Sequence, residues 1–444
     1  MIGDAAPPEP VEVLLADGGS AELRAITPAD APALVAFHHG LSAQTIHFRY
    51  FSALVELPKL LLHRFTQVDF ARDMVLVAEV GAKLIALASW HRGKRPDDGD
   101  AAEVAFVVAD EHQGRGLGTL LLERLAELAR ARGLTRFRAE TLAGNRAMLH
   151  VFRDAGFALE RDADDVAVVH LRFPVADTDE ARAAHEQREH RAELRSIARL
   201  LAPRAVLALG DAAEDAAGLR GRGFRGTLYT DLQQAPLGVD LALWRGDAKA
   251  LPDVIAACAA AGVHALQLGA LAGEPAGDER ERFDRELRVA VRRNGMRLVG
   301  PDSFGLIHTA PSVQLCTAPL PEPPARGAIG LACDSAALAR ELLVAHGFAR
   351  AGLSTFAGLG RRADVSANDL LQYWQDDPAT RVVALAVHSP GNPAKLERIA
   401  AHVASAKPIV ALACGGEHDA RLRAAGAELV HSPAELALRA RALA

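Results

Sequence analysis

The stretch from Ala102 to Gly133 constrains the fold more than any other part of this sequence. It reads as an alternating strand, then a loop that holds three glycines and an arginine, then a strongly periodic helix that Gly133 ends. The first N–H groups of a helix have no internal partners and carry the positive end of its dipole. Glycines let a bulky anion approach the backbone and Arg115 adds a positive charge, so this pattern predicts a phosphate at the helix N-terminus.

The overall composition indicates a soluble globular protein of several domains. A chain of 444 residues is long enough for two to four domains, and 50% apolar and 24% charged residues are ordinary proportions. A net charge of -6 disfavours a nucleic-acid partner, which needs a basic face. The four cysteines form no CxxC pair and the first residues lack a secretory signal pattern. We therefore expect no metal site and a cytoplasmic protein.

The longest apolar stretch, 254–273, is about long enough to span a membrane. However, Gly262, His264 and Gln267 interrupt it, and alanine outnumbers leucine. The pattern favours an alanine-rich helix that Gly262 ends, followed by a buried strand. We therefore expect no membrane partner.

Strand and helix patterns divide the chain into three blocks joined by two linkers. The first block mixes alternating strands with helices, whereas the other two alternate strand and helix in a rhythm typical of parallel sheets. The first linker reads as a helix that is polar up to Arg191 and carries an apolar stripe after it. The second linker is rich in proline. The boundaries that we predict are 1–176, 177–201, 202–317, 318–327 and 328–444.

The glycine loop matches neither of two common nucleotide-binding motifs. No Gly-Lys-Ser/Thr follows it, as a Walker loop requires, and Thr119 stands where a Rossmann fingerprint has its last glycine. Gln113, Gly116 and Gly118 instead have the Q-x-x-G-x-G spacing, which resembles the acyl-CoA-binding motif of the GNAT superfamily of N-acetyltransferases. The segment 145–157, "NRAMLHVFRDAGF", resembles the second half of the same fold, and the resemblance extends over most of the first block.

This resemblance implies that the first block binds acetyl-CoA as a cosubstrate. The pantetheine arm would bond the backbone of a strand that opens beside its neighbour, and the pyrophosphate would lie on the N–H groups of the glycine loop. The cofactor-binding residues that the resemblance implies are Val107, Val108, Gln113, Gly114, Arg115, Gly116, Leu117, Gly118, Thr119 and Asn145.

Acetyl transfer to a lysine needs a general base, because removing the ammonium proton costs about 4–5 kcal/mol at pH 7. Family members that act on lysine often place a glutamate on the thioester-binding strand, so the resemblance assigns this role to Glu103. The alternative is an ordinary exposed carboxylate at a strand end. Many family members also have a tyrosine acid on the helix after the asparagine, but here His150 and Phe152 are nearest and no acid is assigned.

Two further segments of the first block carry ionisable side chains. His47, Arg49 and Tyr50 are candidates for contacts with the acceptor. The adjacent His38 and His39 have no further ligands at helical spacing, so we expect both on the surface.

The second and third blocks together resemble the CoA-binding and ligase-type domains of NDP-forming acyl-CoA synthetases. The resemblance is best in the segments 297–309 and 360–396 and covers about residues 200–416. It implies that this region descends from an enzyme that handles CoA thioesters.

Departures from that family indicate a degenerate synthetase. The loop after "AVLALG" keeps Gly210 but gains carboxylates, which suit a helix dipole and repel CoA phosphates. The family's phosphoryl-carrying histidine stands in a Ser-His-Thr-Gly segment, whereas His418 and His431 do not, and no ATP-grasp domain is present. Other changed positions are Asp211, Glu214, Asp215, Asp302, Ser303 and residues 333–336.

The predicted fold class is α/β multidomain: an N-terminal GNAT α+β fold with a mixed sheet, then a Rossmann-like CoA-binding domain and a flavodoxin-like ligase domain with parallel sheets. A GNAT domain joined to a synthetase-like region resembles bacterial protein lysine acetyltransferases of the Pat type, whose targets include AMP-forming acyl-CoA synthetases. The implied partner is a protein lysine, and the implied role of the synthetase-like region is regulation. Open alternatives are a small-amine acetyltransferase and a non-enzymatic acyl-CoA sensor. An active ligase is disfavoured, and the oligomeric state is not predicted.

Overall fold

A computed structural model of the chain describes residues 6–93, 100–156, 160–162, 167–388 and 391–444. The chain folds into two compact units, 1–192 and 193–444. No helix among the described residues is both long and apolar enough to cross a lipid bilayer. Phe157, which ends the second GNAT-like segment, lies outside the described residues.

The described part of the first unit contains eight strands and five helices, and a sixth helix begins in it. The strands are β1 (Val11–Leu14), β2 (Ser20–Ala25), β3 (Asp73–Val80), β4 (Lys83–Arg92), β5 (Ala101–Val108), β6 (Arg136–Leu142), β7 (Glu160–Asp162) and β8 (Val168–Pro174). The helices are α1 (Ala31–His39), α2 (Ala43–Tyr50), α3 (Lys59–Thr66), α4 (Leu117–Ala131), α5 (Arg146–Asp154) and α6 (Asp179–Leu201), with 3₁₀ turns at Pro28–Asp30 and Asp110–His112.

These strands form one sheet in the order β1-β2-β3-β4-β5-β6-β8-β7. Neighbouring strands are antiparallel except β5 and β6, which run parallel. Parallel neighbours need a crossover connection, and α4 supplies it. The structure thus confirms the mixed sheet that the first block predicts.

Apolar side chains cover both faces of this sheet. Helix α4 buries its apolar stripe on one face, where Phe106 and Phe137 of the strands also lie. Helices α1 and α3 cover the other face, where Phe37 and Phe65 join Val107 in a second cluster. Full burial of such a side chain contributes about 1.5–3 kcal/mol. Both helix layers therefore stabilise the sheet around β5.

Beyond the end of α6, the described part of the second unit contains twelve strands and nine helices. The strands are β9 (Ala205–Gly210), β10 (Thr227–Tyr229), β11 (Leu241–Asp247), β12 (Ala265–Ala272), β13 (Arg297–Val299), β14 (Gly305–His308), β15 (Leu315–Cys316), β16 (Arg326–Cys333), β17 (Leu353–Gly358), β18 (Val382–Ala386), β19 (Ile409–Leu412) and β20 (Glu428–Val430). The helices are α7 (Ala216–Gly221), α8 (Leu251–Ala260), α9 (Asp278–Arg293), α10 (Ala336–Arg340), α11 (Phe348–Ala351), α12 (Ala367–Asp376), α13 (Pro393–Ala404), α14 (Gly416–Ala424) and α15 (Pro433–Leu443).

The strands of the second unit form two sheets. The first has the order β10-β9-β11-β12-β13 and is parallel throughout. The second has the order β15-β14-β17-β16-β18-β19-β20 and is parallel except at one edge, where β14 pairs antiparallel with β15 and β17. The parallel rhythm is confirmed, but β14 and β15 precede the proline-rich linker and pair in the second sheet. The five segment boundaries given above stay predictions.

The apolar stretch 254–273 forms a helix and a strand, as its pattern predicts. Helix α8 ends at Ala260, Gly262 adopts a left-handed φ of 64°, and β12 follows. The strand lies between β11 and β13 of its parallel sheet and is buried over its first half.

Helix α6 differs from the predicted linker in one respect. Its apolar stripe is buried in the second unit, as expected. Its polar half, however, carries specific ion pairs in the first unit, because Glu123 of α4 accepts from the ring of His185 at 2.8 Å and also pairs with Arg188. The polar half is therefore fixed to the first unit by charge rather than by an apolar face.

Candidate active site

The glycine loop joins β5 to α4 through two residues with left-handed backbone. Gly114 has a φ of 75° and Gly116, which caps α4, has a φ of 81°. A residue with a Cβ pays about 1–2 kcal/mol for this conformation. The N–H groups of the first turn of α4 lack helical acceptors, because the first helical bond runs from Leu120 N to Gly116 O. The loop therefore presents backbone donors at a helix N-terminus, as the sequence predicts.

The third glycine of the loop has a different role. A Cβ on Gly118 would lie 3.0 Å from Cγ2 of Val151 on α5. The missing side chain of Gly118 thus lets α4 and α5 pack closely. This glycine is needed for helix packing and not for the conformation of the loop.

Arg115 fastens the loop to the turn between β1 and β2. Its Nε lies 2.8 Å from Oδ2 of Asp17, and its carbonyl accepts from the N–H of Ala16 at 2.9 Å. Its Nη1 also lies 2.7 Å from Nδ1 of His112. Burial and the Arg115 charge lower the pKa of His112, so its ring is neutral and accepts this bond.

A hydrogen-bonded network ties helix α2 to the same loop. Gln113 donates from Nε2 to the carbonyl of Val108 and to Oγ1 of Thr45, both at 3.2 Å. Thr45 and Ser42 each donate to the carboxylate of Asp110 at 2.7 Å. Burial raises the pKa of Asp110, but these bonds outweigh burial and hold it below its ordinary value. Ser42, Thr45 and Asp110 are not among the residues predicted from the sequence, although Ser42 precedes a helix at a typical cap position.

Strands β5 and β6 separate beyond Glu103. They pair only over residues 101–103 of β5 and 136–138 of β6, while the other edge of β5 stays bonded to β4 up to Val108. The sheet therefore contains a slot beside residues 104–108, as expected of a strand that opens beside its neighbour. Val107 and Val108 lie along it, and backbone groups at a parted edge need another partner. The glycine loop lies at one end of the slot and Glu103 at the other.

Helix α2 brings two polar side chains to the face of the sheet that carries Glu103. The guanidinium carbon of Arg49 lies 5.1 Å from the ring centre of Tyr50 and 6.0 Å from that of Phe65. Its Nε is buried and has no hydrogen-bond partner among the described residues. Burial lowers the pKa of Arg49, whereas the Tyr50 and Glu103 charges oppose that effect. The side chain of Glu103 itself is exposed.

The expectation that His38 lies on the surface is wrong. The residue is only 1% exposed, its Nε2 lies 3.0 Å from the carbonyl of Leu54, and its ring contacts Tyr50 edge-on. His39 and His47 are exposed. The buried ring of His38 therefore supports the end of α2 and does not face the slot.

Helix α5 begins at Asn145, whose Oδ1 accepts from the N–H of Met148 at 3.1 Å. Phe152 is buried against Phe106 and Phe173, so the position where many GNAT enzymes have a tyrosine belongs to the core. The ring of His150 is exposed beside Asp154. Neither Phe152 nor His150 is thus placed as an acid. The cofactor-binding and catalytic assignments made from the sequence stay predictions.

Among the described residues, no group of three or more histidine, cysteine, aspartate or glutamate side chains is arranged to hold a metal ion. All four cysteines are unpaired.

Two protein-family models match the chain. The acetyltransferase (GNAT) family matches residues 43–157, which include the slot and the glycine loop. The succinyl-CoA ligase like flavodoxin domain matches residues 326–440, which form most of the second sheet of the second unit.

Three relatives align with different parts of the chain. Acetate–CoA ligase (ADP-forming) I subunit alpha of Pyrococcus furiosus is 28% identical over 49% of this chain and 47% of that protein. Acetyltransferase Pat of Mycolicibacterium smegmatis is 30% identical over 38% of this chain and 50% of that protein. Acetyltransferase PA5475 of Pseudomonas aeruginosa is 31% identical over 35% of this chain and 85% of that protein. The chain thus spans about half the length of the first two.

The fold and the slot define a class of protein: an N-acetyltransferase domain followed by a succinyl-CoA ligase-like domain. The slot in a mixed sheet and the glycine loop before α4 lie within the matched GNAT segment. The chain belongs to the GNAT family of acetyltransferases.

Proposed function

We propose that this protein transfers the acetyl group of acetyl-CoA to a lysine amine of another protein. One observation carries the proposal: the slot beside β5 runs from the glycine loop to Glu103. From Val108 to Glu103 the strand extends about 17 Å at about 3.3 Å per residue. An extended thioester arm along this edge would have its phosphates at the helix N-terminus and its carbonyl beside Glu103.

The proposed reaction uses Glu103 as general base. The carboxylate takes a proton from the lysine ammonium, directly or through a water, and the neutral nitrogen attacks the thioester carbonyl. The C–N bond forms, the C–S bond breaks, and the sulfur leaves as a thiolate that takes up the second proton of the nitrogen. In this proposal, backbone N–H groups along the slot stabilise the negative charge that develops on the carbonyl oxygen.

A protein acceptor is supported by the surface next to this face. The segment from the end of α2 to the first turn of α3 exposes Phe51, Val55 and Leu60, which are 40%, 80% and 83% accessible. Clustered exposed apolar side chains are typical of protein contact sites. The resemblance to Pat-type enzymes adds that AMP-forming acyl-CoA synthetases are suitable acceptors, in which acetylation removes a lysine charge.

We also propose that the synthetase-like region has no ligase activity and regulates the first unit. Its loop after β9 is filled by the chain itself. Arg245 lies 2.8 Å from the carboxylate of Asp215 and donates to the carbonyl of Asp211 at 3.0 Å. A Cβ on Gly210 would lie 2.5 Å from the carbonyl oxygen of Arg245. The pairing of Arg245 with this loop supports the proposal that the loop does not hold a CoA phosphate.

The N-terminus of α14 is filled in the same way. Asp419 accepts from the N–H groups of Cys414 and Gly415 at 3.1 and 2.8 Å. A side chain of the same helix thus takes the donors that a phosphate would use. His418 and His431 lie near this region of the chain, but neither is part of a phosphohistidine motif.

The experiment that tests the proposed function is acetyl transfer from radiolabelled acetyl-CoA. The acceptors are an AMP-forming acetyl-CoA synthetase and a panel of small amines. We expect label on the synthetase with the wild type and at least a hundredfold slower transfer with Glu103→Gln, since a general base contributes about 10²–10⁴-fold. Glu127→Gln, an exposed carboxylate on α4 paired with Arg124, is the matched control.

Label on an amine but on no protein would replace the protein acceptor by a small-amine acceptor. Acetyl-CoA binding without any transfer would contradict an enzymatic role and favour a sensor.

A further inference from the structure

Arg49 lies in the last turn of α2, a helix that packs against both strands that border the slot, β5 and β6. The helix begins at the phosphate end of the slot, where Ser42 donates to Asp110 at 2.7 Å. Its 8 residues extend about 12 Å at about 1.5 Å per residue. The charge of Glu103 acts on Arg49, so the last turn of α2 lies towards the Glu103 end of the slot.

The guanidinium of Arg49 is a cation without a counter-ion among the described residues. It lies 5.1 Å from the ring centre of Tyr50 and 6.0 Å from that of Phe65, which is only 2% exposed. Its Nε is buried, and no hydrogen bond or ion pair links it to a residue that the structure describes. Aromatic rings attract a cation, but they do not satisfy the in-plane N–H donors of a guanidinium.

Two other arginines that are packed into the fold are paired with carboxylates. Arg24 of β2 lies 2.8 Å from Asp30 and 2.6 Å from Glu79. Arg297 of the second unit bonds to three carboxylates. This pairing is the rule, because a charge that is taken out of water without a partner destabilises the folded state. The unpaired guanidinium beside the slot therefore indicates a partner that comes from outside the chain.

The charges around Arg49 favour an anion as this partner. Burial lowers the pKa of Arg49 and the charge of Arg64 lowers it further, against the charges of Tyr50 and Glu103. A carboxylate would offset both the burial and the repulsion from Arg64. Arginine suits this role because its planar fork of donors matches the two oxygens of a carboxylate.

We infer that Arg49 is a specificity-determining residue that binds a carboxylate side chain next to the acceptor lysine. This inference rests on the proposed function and names the class of acceptor, a lysine with an aspartate or glutamate beside it. The acceptor has to enter on the face where Glu103 is exposed. The phosphates of acetyl-CoA would lie at the other end of the slot, and its acetyl group carries no charge. The acceptor is therefore the substrate that supplies the anion.

Two synthetic peptides test the carboxylate by differing in charge alone. Each has one central lysine, which is flanked on both sides by glutamate in one peptide and by glutamine in the other. With acetyl-CoA and the full chain, we expect kcat/KM about tenfold or more higher for the glutamate peptide, as for one charge-assisted hydrogen bond. Arg49→Met should abolish this preference, and Arg49→Lys, which keeps the charge without the fork, should retain part of it.

Thermal unfolding distinguishes recognition from a structural role of Arg49. Because Arg49→Met removes an unpaired buried charge, we expect a melting temperature equal to or above that of the wild type. A lower melting temperature together with an equal loss of activity on both peptides would show a structural role and overturn the inference. The matched control is Arg282→Met, which removes an exposed arginine paired with Glu286 at 2.7 Å and should keep the preference. Loss of the preference in this control would assign it to overall charge instead.

Peptide binding without transfer separates this inference from the proposed function. Calorimetry in the presence of CoA, which carries no acetyl group, measures the dissociation constants of both peptides. We expect about tenfold tighter binding of the glutamate peptide, and loss of the difference in Arg49→Met. This result without transfer to any acceptor would overturn the proposed function and leave the carboxylate site in place. Equal binding and equal turnover of both peptides by the wild type would overturn the inference, while the transfer itself would stand.

The identity of the thioester tests the other source of a carboxylate. Succinyl-CoA carries one on its acyl group, so a wild-type preference for succinyl-CoA that Arg49→Met abolishes would overturn the assignment to the acceptor. We expect no such preference. A loss of kcat on both peptides with a shifted pH profile in Arg49→Met would show that Arg49 acts through Glu103, which would also overturn the inference.

Discussion

The two units place a strand, a loop and a helix in the same local order but differ in the space that they leave beside the loop. After β5, the loop around Gly116 leaves its backbone donors beside an open slot. After β9, the loop at Gly210 is closed by Arg245, and the charges near it satisfy one another. A glycine turn before a helix is therefore not enough to predict anion binding. Anion binding also depends on whether side chains fill the space beside the loop.

The second unit also pairs its most buried charges internally. Arg297 is 3% exposed and donates to Glu193 at 3.0 Å, to Asp364 at 2.9 Å and to Asp369 at 3.3 Å. Arg292 adds a second positive charge near Asp364 at 3.7 Å. Three carboxylates thus share two cations. The Glu103 carboxylate of the first unit is exposed instead, so its charge is available for chemistry.

The largest effect should come from breaking the buried cluster. Arg297→Met leaves three buried carboxylates without their main partner, which we expect to lower the free energy of unfolding by about 3–5 kcal/mol. Urea unfolding followed by tryptophan fluorescence measures it. Arg282→Met, which removes an exposed arginine paired with Glu286, should change stability by less than about 0.5 kcal/mol. Equal effects would contradict the assignment of this stability to the buried cluster around Arg297.

The next-largest effects should distinguish the two glycine loops, because one substitution changes ligand affinity and the other changes stability. Gly116→Val forces a β-branched residue into a left-handed conformation, which costs about 1–2 kcal/mol and weakens acetyl-CoA binding roughly tenfold. Gly210→Val clashes with Arg245 and should destabilise the fold by about 1–3 kcal/mol without changing acetyl-CoA affinity. Isothermal titration calorimetry and thermal unfolding measure both quantities. Weaker acetyl-CoA binding by Gly210→Val would indicate that the second loop still binds CoA.

The free energy of unfolding should depend on pH through the buried cluster of the second unit. Burial and the Asp369 charge raise the pKa of Glu193 to about 7, against the favourable Arg297 charge. The folded state therefore holds a proton that the unfolded state releases near pH 4.5. The resulting stability is fully present below that pH and is lost as the pH rises through about 7.

Glu193→Gln should remove this part of the pH dependence of the unfolding free energy. Urea unfolding at pH 5, 6, 7 and 8 measures it for the variant and the wild type. A wild-type stability that rises over this range because of Glu193 would contradict the assignment.

The smallest effect should come from the network that holds α2 to the glycine loop. Asp110→Asn weakens the bonds from Ser42 and Thr45, and we expect a loss of about 1 kcal/mol or less because the site is exposed. The carboxylate has a lowered pKa, so its contribution is present above about pH 4 and lost as the pH falls below it. Thermal unfolding at pH 7 and pH 3 should show a smaller deficit at pH 3, because the contribution is lost as the pH falls through the lowered pKa. An equal loss of stability at both pH values would show that the shape of the Asp110 side chain, and not its charge, is responsible.

Local patterns predicted the parts of this fold that depend on neighbouring residues in the chain. The β5–loop–α4 unit follows from alternation, two positive-φ glycines and a 3.6-residue period, and α8 with β12 follows from Gly262. The prediction for His38 failed because its partner, the carbonyl of Leu54, lies sixteen residues away. Strands as short as β14 and β15 carry too few residues for a periodic signal.

The composition of the site was harder to predict than its position. Glu103 and the glycines stand out because a motif surrounds them. Arg49 comes to lie near Glu103 only through the packing of α2 against β5 and β6. Single-sequence patterns do not fix such packing.

The parting of β5 and β6 also has a thermodynamic consequence. The sheet forgoes hydrogen bonds along residues 104–108, each worth about 0.5–1.5 kcal/mol. A molecule that lies in the slot acts as a substitute strand, so its occupancy and the melting of the first unit are linked. A ligand at one hundred times its Kd adds about 2.7 kcal/mol to the stability of the unit that binds it. The melting temperature of the first unit is thus expected to rise with the concentration of any ligand that lies in the slot.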